Sequence, residues 1–97
     1  ALCYGLTEFL DVIHMVEDMG WSRRRIVPHG GHQLGLAMTV GLQLGGTESY
    51  PGVFQPFGGF ADDTMIEGGM ARPDEHIGIG MEAKAKMFAE IQRLVGV

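Results

Sequence analysis

Apolar positions at the start of the chain fall at helical spacing. From Thr7 to Met19, Leu6, Phe9, Leu10, Ile13 and Val16 or Met15 share one face, while Glu8, Asp11, His14, Glu17 and Asp18 occupy the other. The pattern predicts an amphipathic helix ended by Gly20. His14 lies on its polar side, where a solvated surface histidine is the ordinary outcome. Arg23 to Pro28 then predicts a short strand centred on Ile26-Val27, which the proline must end. From Gln33 to Leu44 the residues Leu34, Leu36, Ala37, Met38, Val40, Leu42 and Leu44 wrap nearly the whole circumference without a charge, which predicts a helix buried on most sides. Gly35 and Gly41 within it each cost about 1 kcal/mol relative to Ala, so both are expected where a neighbour approaches the backbone closely. Gly45-Gly46 is expected to end the helix, and Thr47 to Tyr50 to form a second strand closed by Pro51. Helix, strand, helix, strand with brief connections is α/β order, with parallel strands covered by crossover helices. Two strands do not close such a sheet, so partner strands are expected from elsewhere.

After Pro51 the pattern changes. Val53 to Asp63 has neither period and reads as an irregular loop anchored by Phe54, Phe57 and Phe60. Thr64-Met65-Ile66 and Met70-Ala71-Arg72 flank Glu67-Gly68-Gly69 as a hairpin. Gly78-Ile79-Gly80 leads into a last helix over Met81 to Val95, with Met81, Ala85, Phe88, Ile91 and Val95 on its apolar face and Glu82 and Lys86 as an i, i+4 pair. There is no internal repeat and no low-complexity segment.

Composition narrows the function classes. A chain of 97 residues makes at most one domain, and one of this size buries only about 60 to 65% of its unfolded surface. The net charge is −5, and Arg23-Arg24-Arg25 is the one basic cluster. Phosphate tracking needs a basic face, so nucleic acid is not an expected partner. The arginine triplet reads either as a solvated loop or as an anion or partner contact. A single cysteine, Cys3, cannot make an internal disulfide and suits a reducing compartment, the cytoplasm. No charge-free stretch of about 18 apolar residues occurs and no basic n-region is followed by an apolar run and a cleavage site, so neither a membrane span nor a signal peptide is expected. The chain begins with Ala and enters almost at once into patterned sequence, as a piece of a longer polypeptide would.

The candidate chemistry lies at the ends of the two expected strands. Pro28-His29-Gly30-Gly31-His32-Gln33 places two imidazoles between the first strand and the apolar helix, and Gly45-Gly46-Thr47-Glu48-Ser49-Tyr50 places a carboxylate on the second. Ligands of α/β folds lie outside the carboxyl ends of strands, where loops converge and helix N-termini offer free N–H groups. Imidazole titrates near neutrality, so His29 is a candidate proton donor or acceptor. The two glycines after it are expected to let a substrate approach the backbone. Three readings of the stretch stay open: a zinc site, for which His-x-x-His alone lacks the third and fourth ligands; a structural turn; and acid/base catalysis.

Ile26 to Leu34, Gly45 to Pro51 and Val53-Phe54-Gln55-Pro56-Phe57-Gly58-Gly59-Phe60 resemble the C-terminal part of an enolase-superfamily enzyme. The likeness is greatest to the mandelate racemase-like acid-sugar dehydratases, especially those resembling D-tartrate dehydratase. It implies the last two βα units of a modified (β/α) TIM barrel over residues 1–60, with 61–97 a hairpin and helix returning to a capping domain. His29 would match the seventh-strand histidine that is base in racemases and general acid on the departing hydroxyl in dehydratases. Glu48 would match the eighth-strand glutamate that hydrogen-bonds the substrate carboxylate as it becomes an enediolate. His32 and Tyr50 would be substrate contacts. The implied parent is a Mg²⁺-dependent hydro-lyase acting on a small acid sugar or hydroxy acid, a homo-oligomer, with racemisation or epimerisation as the alternative chemistry. A third possibility is a catalytically inactive fragment. A whole barrel needs about 250 residues, and the metal-binding carboxylates, the second-strand lysines and the aspartate that orients the histidine would precede Ala1. No metal ligand is assigned within the chain. The run Asp74 to Gly80 departs from the family pattern, in which a proline precedes the first of these glycines.

Overall fold

The computed structural model describes residues 3–73, 75 and 77–97. Helix α1 spans Leu6–Asp18, and its apolar stripe buries Phe9 and Ile13, one turn apart. It ends as the sequence predicts: Gly20 takes a left-handed φ of 89°, its N–H donates to Glu17 O at 2.9 Å, and the Trp21 N–H donates to Val16 O at 3.1 Å. A 3₁₀ turn follows over Arg23–Arg25, with Ser22 Oγ accepting from the Arg24 N–H at 3.2 Å. Arg24 and Arg25 of the triplet are exposed, while Arg23 and Arg25 make contacts within the chain. Arg23 forks onto the Glu17 carboxylate at 2.9 and 3.0 Å, and the Arg25 guanidinium lies 5.6 Å from the Trp21 ring centre.

The expected strands at Ile26-Val27 and Thr47 to Tyr50 are not strands of a sheet. Both segments lie side by side: Ile26 O accepts from the Gly45 N–H at 3.0 Å and Pro28 O from the Glu48 N–H at 3.3 Å. Donors and acceptors advance in the same sense, so the segments are parallel, but the spacing is two residues on one side and three on the other, which breaks a regular ladder. Parallel pairing is also the weaker kind and is normally sustained by neighbours on both sides.

Helix α2 spans Gln33–Gly41 and stops short of the expected Leu44. Gly45-Gly46 does not end it. Gln43 does, by adopting a left-handed φ of 56°; its N–H donates to Val40 O at 3.3 Å and the Leu44 N–H to Thr39 O at 3.0 Å, which satisfies the last carbonyls. Gly45 has another task, because a Cβ there would sit 2.1 Å from the Arg24 carbonyl oxygen. Gly35 has close neighbours in His32 and Thr47, as expected, whereas a Cβ at Gly41 would meet nothing within 4 Å. The core consists of Phe9 and Ile13 of α1, Met38 of α2 and Leu44, with Leu10, Ile26, Leu34 and Leu42 around it. Burial of α2 is incomplete, since Val40 is 53% exposed.

Met65–Glu67 (β1) and Met70–Arg72 (β2) form the hairpin, antiparallel, with Glu67 opposite Met70. Glu67 thus belongs to the strand and the turn is Gly68-Gly69, both at positive φ, as a two-residue hairpin turn requires. Of the three loop aromatics expected to be anchors only Phe60 is buried; Phe54 and Phe57 are exposed. The expected last helix is divided into a 3₁₀ turn, Met81–Ala83, and helix α3, Ala85–Val95. Lys84, at φ −95° and ψ 71°, separates them. Glu82 and Lys86 fall on opposite sides of this break, so they are not an i, i+4 pair of one helix; Glu90 and Arg93 pair on α3 instead. The departure noted at Asp74 to Gly80 includes Asp74 and His76, which lie outside the described residues.

The described residues are therefore a small mixed α/β chain of three helices and one two-stranded antiparallel sheet. Among them no helix is long and apolar enough to cross a membrane.

Candidate functional site

The crossing of segment 29–32 over segment 48–50 builds the site. Gly31 lies at φ 58°, and a Cβ on it would come 3.0 Å from the Tyr50 ring, 3.1 Å from Glu48 O and 3.2 Å from Ser49 Cα. At Gly30, with φ 106°, a Cβ would come 2.9 Å from the His32 ring. The close approach expected at these glycines is thus made by the protein's own chain.

This crossing brings His29, Gly30, Glu48 and Tyr50 together around one oxygen. Glu48 Oε2 accepts from the Gly30 N–H at 2.7 Å and from the Tyr50 hydroxyl at 2.6 Å, and His29 Nδ1 lies 2.7 Å from the same atom. The Tyr50 hydrogen bond above all, then the Gly30 N–H and the adjacent His29, hold the Glu48 carboxyl below the usual carboxylate range. The same contact pushes the Tyr50 hydroxyl up, because ionising it would set two negative charges together. An ionised Glu48 attracts Nδ1 only if that nitrogen carries a proton, which defines the tautomer of neutral His29 and leaves Nε2 as its acceptor nitrogen. His29 is 67% exposed and Glu48 37%, so the pair is open to a ligand.

His32 is placed differently. It is the N-cap of α2, and its Nδ1 accepts from the Gly35 N–H at 3.0 Å, supplying a backbone donor that the first turn would otherwise leave unpaired. Burial, with the charge of His29 adding to it, lowers its pKa from the ordinary 6.5. Neutral His32 is what the cap requires.

Four further side chains had gone unremarked as functional in the sequence. Gln33, buried at the first position of α2, donates to Ile79 O at 2.9 Å and accepts from the Ala61 N–H at 2.8 Å. Lys84, whose side chain is 3% exposed, donates to Gln55 Oε1 at 2.7 Å and pairs with Asp62 Oδ1 at 3.2 Å. Asp62 Oδ2 in turn accepts from the Ala85 N–H at 3.2 Å. Thr64 Oγ1 is buried without a hydrogen-bond partner among the described residues. A signal existed for Gln33 alone, as the one long polar side chain opening an otherwise apolar helix.

Among the described residues, no group of three or more His, Cys, Asp or Glu side chains could hold a metal ion. They do not fit a Mg²⁺ site by themselves, and His29 with His32 gains no third ligand for zinc. No protein-family model matches the chain.

Proposed function

We propose that the chain supplies the general acid of a Mg²⁺-dependent acid-sugar dehydratase, as the C-terminal part of a modified (β/α) barrel. The observation that carries this reading is the 2.7 Å contact between His29 Nδ1 and Glu48 Oε2, which gives the imidazole a fixed tautomer and a defined proton-exchanging atom, Nε2. The likeness of the His29 and Glu48 segments to the mandelate racemase-like enzymes supplies the reaction class. In the reading, removal of the proton next to the substrate carboxylate is done by a base outside this chain. As the bond from the β-carbon to its hydroxyl breaks, the proton on His29 Nε2 passes to the departing oxygen, and water leaves. Glu48 meets the imidazolium or imidazole through Nδ1 in either state and keeps the ring aimed, in place of the orienting aspartate and of the substrate-carboxylate contact that the resemblance implies. Tyr50 and the Gly30 N–H hold Glu48 in place. Mg²⁺ would supply charge neutralisation of the enediolate from ligands outside the described residues.

The test uses the longer polypeptide that carries this chain. With Mg²⁺ and a panel of four- to six-carbon acid sugars, release of a 2-keto-3-deoxy acid is expected, and His29→Asn should lower kcat by at least about a hundredfold with an unchanged circular dichroism spectrum. Undiminished turnover in that variant would remove His29 from the reaction. Exchange of the α-proton with inversion and no loss of water would instead assign the same histidine to a racemase.

A further inference from the structure

Beside the His29–Glu48 pair lies a cavity of about 230 Å³ that the proposed reaction has not used. Gly31 and Tyr50, both part of the crossing, form one wall, and Gln55, Asp62, Thr64 and Lys84 are among the residues of the others. Three features set it apart from an ordinary surface recess. Its ammonium is almost wholly buried, and two acceptors, Gln55 and Asp62, orient it while an ammonium has three N–H groups to give. Its Asp62 carboxylate is half-exposed. Its Thr64 hydroxyl is buried with no partner among the described residues, a condition that folded proteins rarely tolerate unless something else satisfies the group.

The cavity is thus lined by both donors and acceptors. A monocarboxylate would meet the ammonium but also the Asp62 charge. Vicinal hydroxyls suit it better, because each can accept from Lys84 or Thr64 and donate to Asp62 or Gln55 at the same time. We propose that this cavity binds a vicinal diol, with Lys84, Asp62 and Thr64 as the groups that recognise it. Resting on the dehydratase reading, the diol is the distal, non-reacting end of the acid sugar, and Lys84 and Thr64 select for hydroxylation at that end.

Binding can be followed without turnover, through the ¹³C-methyl resonance of Thr64 in the same protein, with erythritol as probe and butane-1,4-diol, which lacks the inner vicinal pair, as control. Saturable movement of the Thr64 signal by erythritol, and none by butane-1,4-diol at equal concentration, is expected. Lys84→Met should abolish the response but also removes a buried tie between two segments, so Thr64→Val is the cleaner variant. Valine keeps the shape and removes the unpartnered hydroxyl. Its thermal midpoint should equal or exceed that of the parent, while erythritol affinity, read from the methyl signals of the new valine, falls at least fivefold. A Thr64→Val protein that is less stable, or that binds erythritol as before, would show that the hydroxyl serves the fold alone and would overturn the proposal. So would equal shifts with the two probes. His29→Asn should leave erythritol binding intact. Binding without turnover would therefore uphold the cavity and reject the dehydratase reading, and turnover without binding would do the reverse.

Discussion

At the scale of single residues, the two imidazoles of one loop are held in opposite senses. His29 offers its Nδ1–H to a carboxylate, whereas His32 uses Nδ1 as an acceptor for the Gly35 N–H. Protonating His32 therefore breaks the α2 cap. Its folded pKa is lowered from 6.5 by burial, so its contribution to stability is complete above the unfolded value and declines as pH falls below it, down to the lowered folded value. His32→Ala should cost about 1 kcal/mol at pH 8 and less at pH 5. His32→Asn keeps a capping oxygen and should show a flatter pH dependence across this window than the parent. Urea titrations at the two pH values check both, and equal losses at pH 5 and pH 8 would contradict the cap. His29 and Glu48 were legible as a pair because His29 follows the short apolar run Ile26-Val27 and Glu48 lies on the next predicted strand, Thr47 to Tyr50. The part played by His32 was not, since capping depends on where the helix begins, and that is settled by the crossing of Gly31 over segment 48–50. Nor was Tyr50 legible as the main hydrogen-bond donor to Glu48. Two residues apart on an extended segment, their side chains share a face only if the backbone alternates regularly.

At the scale of elements, the joint between the Arg23–Arg25 turn and the segment after α2 decides how His29 meets Glu48. Gly45 lies so close to Arg24 that a Cβ would stand 2.1 Å from its carbonyl oxygen, and backbone atoms cannot swing aside as side-chain tips do. Gly45→Ala should cost about 3 kcal/mol and displace the parallel pairing of segments 26–28 and 45–48. Gly46→Ala, which meets nothing within 4 Å, is the control and should be nearly neutral. Gln43→Gly should stabilise the protein by about 1 kcal/mol, because it relieves a left-handed residue that carries a side chain. Thermal melts of the three variants rank them; a destabilised Gln43→Gly would mean that the Gln43 side chain holds the cap. These positions show why periodicity located α1, α2 and the hairpin but misplaced the end of α2. A Gly-Gly pair is the commoner stop signal, and only the approach of Arg24 reveals that Gly45 is needed for space. Likewise, the spacing of Met81 to Val95 is helical throughout, and the break at Lys84 arises from a tertiary demand, the burial of its ammonium against Gln55 and Asp62.

At the scale of the whole molecule, the core is small relative to the apolar surface left outside it. Phe9, Ile13, Met38 and Leu44 form one buried cluster, while Ile91, Leu94 and Val95 of α3 and Met65, Ile66 and Met70 of the hairpin are exposed. Apolar side chains grouped on one helix and one hairpin suit contact with another element, and apart from the local bond from the Ile26 N–H to Arg23 O, the backbone hydrogen bonds of the parallel segments 26–28 and 45–48 among the described residues run between the two segments. Partner strands were expected from sequence on the same ground, since two strands cannot close an α/β sheet. Gln33 and Lys84 join the tail to the rest through a few polar contacts, and such contacts contribute only about 1 kcal/mol each. The chain alone should therefore unfold gradually, with a urea m-value below about 1 kcal/mol/M, the lower bound for small cooperative domains. On the barrel reading proposed above, adding a polypeptide that carries the preceding strands should sharpen the transition and raise the m-value, because apolar faces exposed in the chain alone become surface that unfolding uncovers. A steep, single transition of the 97-residue chain, unaltered by that addition, would show that the exposed faces need no cover and that the His29–Glu48 pair stands on a self-sufficient fold.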